Sequence, residues 1–263
     1  MVREWCEMQG LQPPDLSFDL AAGSPFSYRC LACSRCCHDK VILIGPYDIL
    51  RLARHLGLST TDFIARHSSS GGTVLRFAGG EVQRCVFLSQ AGCQVHADRP
   101  LACRLYPLAL HVDEHGVQTF SRLPGHPQSA GLFGCEGTVA DFLREQGVAP
   151  YLEAAARYRG VFQRMLACLA RMDDRELDRL PDRQAEIVSQ QGQGPASRWL
   201  DVDQIVSEHC ARLGRQVPVD IDETIRLHIE AIEHWLDSLE GPPGRTKGST
   251  VEAGIESPAL ARP

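Results

Sequence analysis

The chain has 263 residues, with 27 basic and 33 acidic side chains for a net charge of −6, 43% hydrophobic residues and 11 cysteines. That length allows one large or two modest domains with a sizeable core, so metal or cross-links are not needed merely to hold a small chain together. The acidic balance argues against broad nucleic-acid binding, which needs a surplus of Lys and Arg, and no stretch approaches the roughly 18 apolar residues of a membrane-spanning helix.

In chain order, residues 1–25 read as an N-terminal extension. There Pro13-Pro14 precedes an alternation of Leu16, Phe18 and Leu20 that suits a short edge strand. Val41–Ile44 is a β-prone run stopped by Gly45-Pro46, with Pro46 placed as the first residue of a helix. Ile49, Leu52, Ala53 and Leu56 give that helix an apolar face, and Gly57 ends it. Ser59-Thr-Thr-Asp62 resembles a capping box and predicts a second short helix through Phe63 and Ile64, broken by Ser68–Gly72. Short strands are expected near Val74–Phe77 and Arg84–Leu88. Leu108–Val112 and Val117–Ser121, separated by Asp113–Gly116, read as a hairpin.

Beyond residue 138 the pattern turns helical. Val161, Met165, Cys168 and Met172 form one apolar stripe, and Ile225, Ile229, Ile232 and Leu236 another. These residues, Cys168 included, are expected in a core. Cys6 and Cys210 have no cysteine neighbours in sequence. The tail from residue 241, rich in proline and small residues, has the composition of a disordered segment. The expected architecture is α+β: an irregular cysteine-rich module over residues 26–137 packed with a helical region over 138–240.

Eight cysteines, Cys30, Cys33, Cys36, Cys37, Cys85, Cys93, Cys103 and Cys135, fall within 106 residues, while the other 157 residues hold three. The N-terminus shows no signal-peptide pattern, so a reducing cytoplasmic setting is expected, where clustered thiols read as metal ligands or redox groups. A disulfide framework competes with that reading, but a bridge between the neighbours Cys36 and Cys37 would be strained. Gathered thiolates repel one another. From residue 30 to 107 nine Arg or Lys face five Asp or Glu, a surplus of only +4, so bound cations are the natural means of neutralisation.

Zinc and iron both suit soft sulfur donors. Zinc takes four ligands in a tetrahedron, so eight cysteines suffice for two ions. An iron–sulfur cluster takes four cysteines, but the adjacent Cys37, with no proline after it, departs from the bacterial ferredoxin spacing. A purely structural metal stands level with a catalytic one. Of the 27 basic side chains only Lys40 and Lys247 are lysines, a bias that carries no mechanism by itself.

The combined motifs C-x2-C-x2-C-C at Cys30–Cys37, C-x-F-L at Cys85, C-x5-R-P-x2-C-R-x-Y-P at Cys93–Pro107 and C-x-G at Cys135 are far more specific than a single C-x2-C. Residues 26–137 resemble the YkgJ-type cysteine-cluster family of zinc- or iron-chelating domains, which shares its motif with flagellin lysine N-methylases. The resemblance implies that all eight module cysteines are metal ligands and that Arg99, Arg104 and Tyr106 are cofactor-binding candidates, with Pro100 and Pro107 as backbone-shaping motif positions. Ser34 stands where the family loop often has glycine, and His96 where tyrosine is common. His96, His38 and His126 read as surface histidines rather than ligands. Arg99 and Arg104 have three readings open to them: hydrogen bonding to cysteinyl sulfur, binding an anionic substrate group, or pairing with acids such as Asp98.

Two further functions stand beside metal binding. The resemblance implies methyl transfer from S-adenosylmethionine to a protein lysine such as one in flagellin, with no catalytic residue assignable. No G-x-G-x-x-G follows a strand, so a Rossmann-type donor site is not visible. The third reading is a zinc-stabilised interaction module.

Overall fold

The computed structural model describes residues 16–31, 33–126, 129–172 and 198–240. Cys6, the Pro13-Pro14 pair and the tail from residue 241 lie outside the described residues. The protein is an α+β mixture whose described part holds seven α-helices and five two-stranded antiparallel pairs. No helix among the described residues is long and apolar enough to cross a membrane.

The chain enters through strand β1 (Pro25–Arg29). Helix α1 (Pro46–Leu56) follows, started by Pro46 and by the Gly45 N–H donating to Asp48 Oδ2 at 3.0 Å, and ended by Gly57 at φ 65°. Helix α2 (Thr60–His67) is capped by Ser59, whose hydroxyl accepts from the Asp62 N–H at 3.0 Å. Short strands β2 (Ser68–Ser69), β3 (Val74–Leu75), β4 (Phe77–Ala78), β5 (Arg84–Cys85), β6 (Leu88–Ser89) and β7 (Gly92–Cys93) then pair as consecutive hairpins. The run at Val41–Ile44 is extended, with Leu43 bridging Val74.

Helix α3 (Leu101–Leu105) leads to the hairpin of β8 (Leu108–Val112) and β9 (Gln118–Arg122), in the register Leu110↔Phe120. The expected N-terminal edge strand shrinks to one bridge, Leu20 to Phe120. Strand β10 (Leu132–Thr138) returns to pair with β1 across more than 100 residues, Tyr28↔Phe133 and Arg29↔Leu132. Helices α4 (Val139–Glu145), α5 (Ala149–Leu169), α6 (Val202–Leu213) and α7 (Ile221–Glu240) complete the described chain.

Both apolar stripes do what their spacing predicts. Val161, Met165 and Cys168 of α5 and Ile225, Ile232 and Leu236 of α7 are buried in one core, with Met172 and Ile229 packed at its edge. Tyr47 and Leu50 of α1 belong to that same core, while Ile49, Leu52 and Ala53 on its other face pack with Phe63, Leu75, Phe87 and Val95. Helix α1 is thus buried on two sides and joins the cysteine module to the helices.

The N-termini of α2 and α6 also interlock. Thr60 and Thr61 hydroxyls donate to the two oxygens of Asp201, both at 2.6 Å, and the Asp203 N–H donates to Thr60 Oγ1 at 2.8 Å. A third core, built on Phe26, Leu105, Leu108, Phe120, Val139 and Phe142, lies beneath the two longer strand pairs.

Candidate metal centre

Short elements and the loops between them present the cysteines. Strand β1 delivers Cys30, and the following loop turns at Ser34, whose φ of 59° lies in the left-handed region. Glycine enters this region without steric cost, and serine is small enough to follow it there. A single 3-10 turn, Arg35–Cys37, closes with the Cys37 N–H donating to the Ser34 carbonyl at 3.2 Å and sets Cys36 beside Cys37.

The loop is then sewn to the next cysteine strand. The Asp39 N–H donates to the Gln83 carbonyl, the Gln83 N–H donates to Asp39 Oδ1, both at 2.8 Å, and His38 bridges Arg84. Cys85 follows directly on β5. Cys93 sits on β7 opposite Leu88, and Cys103 rides on α3, whose Leu101 N–H donates to Asp48 Oδ1 at 2.9 Å.

The described cysteines are free thiols: Cys33, Cys36, Cys37, Cys85, Cys93 and Cys103 are half-buried, Cys30 and Cys135 exposed, Cys168 and Cys210 buried. Their electrostatics reveal who neighbours whom. A hydrogen bond from Cys37 pulls the Cys36 thiol down to about 6 against the effect of burial, with Lys40 and His38 assisting. The reciprocal effect and burial push Cys37 up, and it feels Cys103 and Cys85. Burial pushes the Cys103 thiol far up, and the charges of Cys85, Cys93 and Cys36 add to it. Cys36, Cys37, Cys85, Cys93 and Cys103 therefore form one set in which ionising one thiol opposes the ionisation of others.

Cys33 lies at the rim of this set. Its sulfur accepts from the Ala130 N–H at 3.4 Å, and the Ala130 and Arg35 amides hold its thiol below the usual range. It also faces a cavity of about 560 Å³ whose walls include Ser34, Arg84, Leu88, Ser89 and Gln90. Cys135 is set apart. The β1–β10 register carries Arg29 to Leu132, so Cys135 lies several residues along the ladder from Cys30.

Among the described residues no three Cys, His, Asp or Glu side chains already stand in the close geometry of a metal site. The inner donor set nevertheless fits a soft cation: reduced thiols, unbridged and half-buried, which can ionise together only if positive charge is supplied.

The other candidates fall into different places. Arg99 donates to the His96 carbonyl and to Gln146 Oε1, each at 2.7 Å, and its charge is felt at Cys93. Arg104 is 7% exposed and spends its donors on carbonyls, those of Arg99 at 3.0 Å, Gln146 at 2.7 Å and Ala97, while lying over the Tyr151 ring. That anchoring of the α3–α4 junction is a role outside the three readings offered above. Asp98 pairs with neither of these arginines; it accepts from Arg51 Nε at 2.9 Å and contacts His55 Nδ1 at 2.9 Å.

Tyr106 OH accepts the His126 N–H at 2.9 Å, and the Tyr106 ring meets Tyr28 edge-on. The peptide bond from Tyr106 to Pro107 is cis. His96 is exposed, in line with its reading as a surface histidine, whereas His38 is half-buried, with Nδ1 in contact with the Arg35 carbonyl. The sequence reading misses Asp48 and meets Lys40 only as one of two lysines, without a role. A lone Asp inside an apolar helix face was a signal for the first, and the scarcity of lysine was one for the second.

Residues 29–124 match the CxxCxxCC family model, described as "Putative zinc- or iron-chelating domain". The match spans somewhat over a third of the chain, takes in Cys30 through Cys103 and stops before Cys135. No curated protein and no solved structure matches the chain.

Proposed function

We propose that this protein chelates zinc or iron through its cysteine module, with Cys36, Cys37, Cys85, Cys93 and Cys103 as the inner ligand set and Cys30 and Cys33 at the rim. The observation that carries the reading is the gathering of five free, half-buried thiols whose ionisations oppose one another, together with the match to a chelating domain. Cys135, offset from Cys30 along the β1–β10 ladder, is the outermost candidate ligand.

Bound zinc supplies a Lewis acid, and bound iron a redox-active centre. The residues described here hold the sulfurs in place: Asp48 fixes the helix of Cys103, and the Asp39–Gln83 pair joins the first loop to the strand of Cys85. The cavity at Cys33 gives small molecules access to the rim. Methyl transfer from S-adenosylmethionine to a flagellin lysine is not part of the proposal, since no feature of the site favours that donor. A cytoplasmic location is proposed on the same chemical ground, because the ligands must stay reduced.

The test is metal analysis of protein purified without oxygen, measuring zinc, iron and acid-labile sulfide per chain. Stoichiometric metal is expected, and Cys36→Ala/Cys37→Ala should lose at least half of it, since a metal ion or cluster here takes about four thiolates. A folded wild-type protein that binds neither metal on reconstitution, with its module thiols freely titratable, overturns the reading.

A further inference from the structure

Lys40 is one of only two lysines among the 27 basic side chains. It is half-buried, and its ammonium lies 4.4 Å from the centroid of the Tyr106 ring. Burial pushes its pKa down, while the charges that bear on it in the other direction come from the sulfurs of Cys36, Cys103 and Cys37. No carboxylate pairs with it among the described residues.

Its aromatic neighbour is itself held. Tyr106 receives the His126 N–H at 2.9 Å and packs edge-on against Tyr28 with centroids 6.2 Å apart. A partly desolvated ammonium needs compensating negative charge beyond what a ring face supplies. Lys40 follows Cys37 by three residues and lies on the ring of Tyr106, which follows Cys103 by three, so its ammonium stands between two cysteine-bearing segments and the negative charge at hand is cysteine sulfur. A lysine suits the place better than the arginine this chain uses elsewhere, because an ammonium is a compact point charge with three donors and a guanidinium is a planar fork built for oxygen pairs.

We infer that Lys40 is the built-in counter-charge of the loaded cysteine centre, a positioning residue held by Tyr106 that offsets the net negative charge of a metal bound by thiolates. The inference rests on the metal-chelating reading above. Four thiolates around a divalent cation leave a net charge of −2, and one ammonium halves it. Lys40 therefore acts on how tightly the centre holds its metal, while the fold, whose cores it does not join, stands without it.

The experiment uses the full chain and compares wild type with Lys40→Met, which keeps the apolar stem and removes the charge, and Lys40→Arg, which keeps the charge. Zinc affinity is measured by competition with a chromophoric chelator, and the sulfur-to-cobalt charge-transfer band is recorded on cobalt-loaded protein. Lys40→Met should bind the same number of zinc ions about tenfold more weakly and shift the band, as removal of one nearby charge in a half-buried site requires. Lys40→Arg should recover most of both.

Equal affinities and identical bands in wild type and Lys40→Met overturn the inference while leaving the chelating function intact. Wild-type protein that takes up neither zinc nor cobalt overturns the function itself and the inference with it. Should Lys40→Met fail to fold, Lys40→Gln replaces it under the same two outcomes.

Discussion

At the scale of single residues, Asp48 shows how a buried carboxylate serves a site it never touches. Its two oxygens accept the Gly45 and Leu101 N–H groups, so one side chain caps α1 and fastens the helix that carries Cys103. Burial raises its pKa, the two amides pull it back, and Arg104 adds a favourable charge. Asp48→Ala leaves two amides without their acceptor and should cost about 2–4 kcal/mol in denaturant unfolding. Asp48→Asn, which retains one oxygen, should cost less. Equal stability of Asp48→Ala and wild type would show that water replaces the carboxylate. Arg104 belongs to the same scale: the R-P-x2-C-R spacing marked it as notable, but its partners are backbone carbonyls brought together by α3 and α4, and no motif encodes that.

At the scale of elements, the local signals were readable. Gly45-Pro46, Gly57 and Ser59 place helix ends because each acts on atoms within a few residues of itself, and the α5 and α7 stripes announce their buried faces by spacing alone. The pairing of β1 with β10 was not readable. It joins segments more than 100 residues apart, and its register, rather than the proximity of motifs, decides that Cys135 stands away from Cys30.

The contact between α5 and α7 was equally hidden, and it makes a measurable prediction. Tyr158 OH lies 2.6 Å from His228 Nδ1, and His228 is fully buried, which pushes its pKa down to about 3. Burial disfavours the imidazolium with either tautomer in this bond, so the folded state holds the ring neutral. The unfolded chain takes up a proton near pH 6.5, and the folded one does not until about pH 3. The stability this group contributes is therefore complete above pH 6.5 and is lost as pH falls from 6.5 towards 3, at a limiting slope of about 1.4 kcal/mol per pH unit. Urea unfolding between pH 7.5 and 4.5 should be steeper in wild type than in His228→Gln. Parallel curves for the two proteins would mean that His228 is protonated or solvated in the folded state.

At the scale of the whole molecule, what matters is how much of the fold depends on metal. Loops and two-residue strands present the inner cysteines, and hairpins this short have little stability of their own. Helices α5, α6 and α7 bury apolar faces against one another, and α1 contributes Tyr47 and Leu50 to that core. The boundary of metal dependence should thus run through the proposed 26–137 module rather than at residue 138. Chelation should raise amide exchange in the loop of Cys30–Cys37, in β4 to β7 and in α3, and leave α1 with the C-terminal helices protected, because metal binding free energy is folding free energy only for the segments the metal orders. The Asp201 bonds to Thr60 and Thr61 add a second attachment and predict that α2 stays with the helices as well. Hydrogen exchange followed by mass spectrometry, with and without metal, separates the possibilities. Uniform protection in both states would show that the cysteine loops are folded by their own contacts, and loss of protection throughout would show that α1 transmits the collapse of the centre into the helical core.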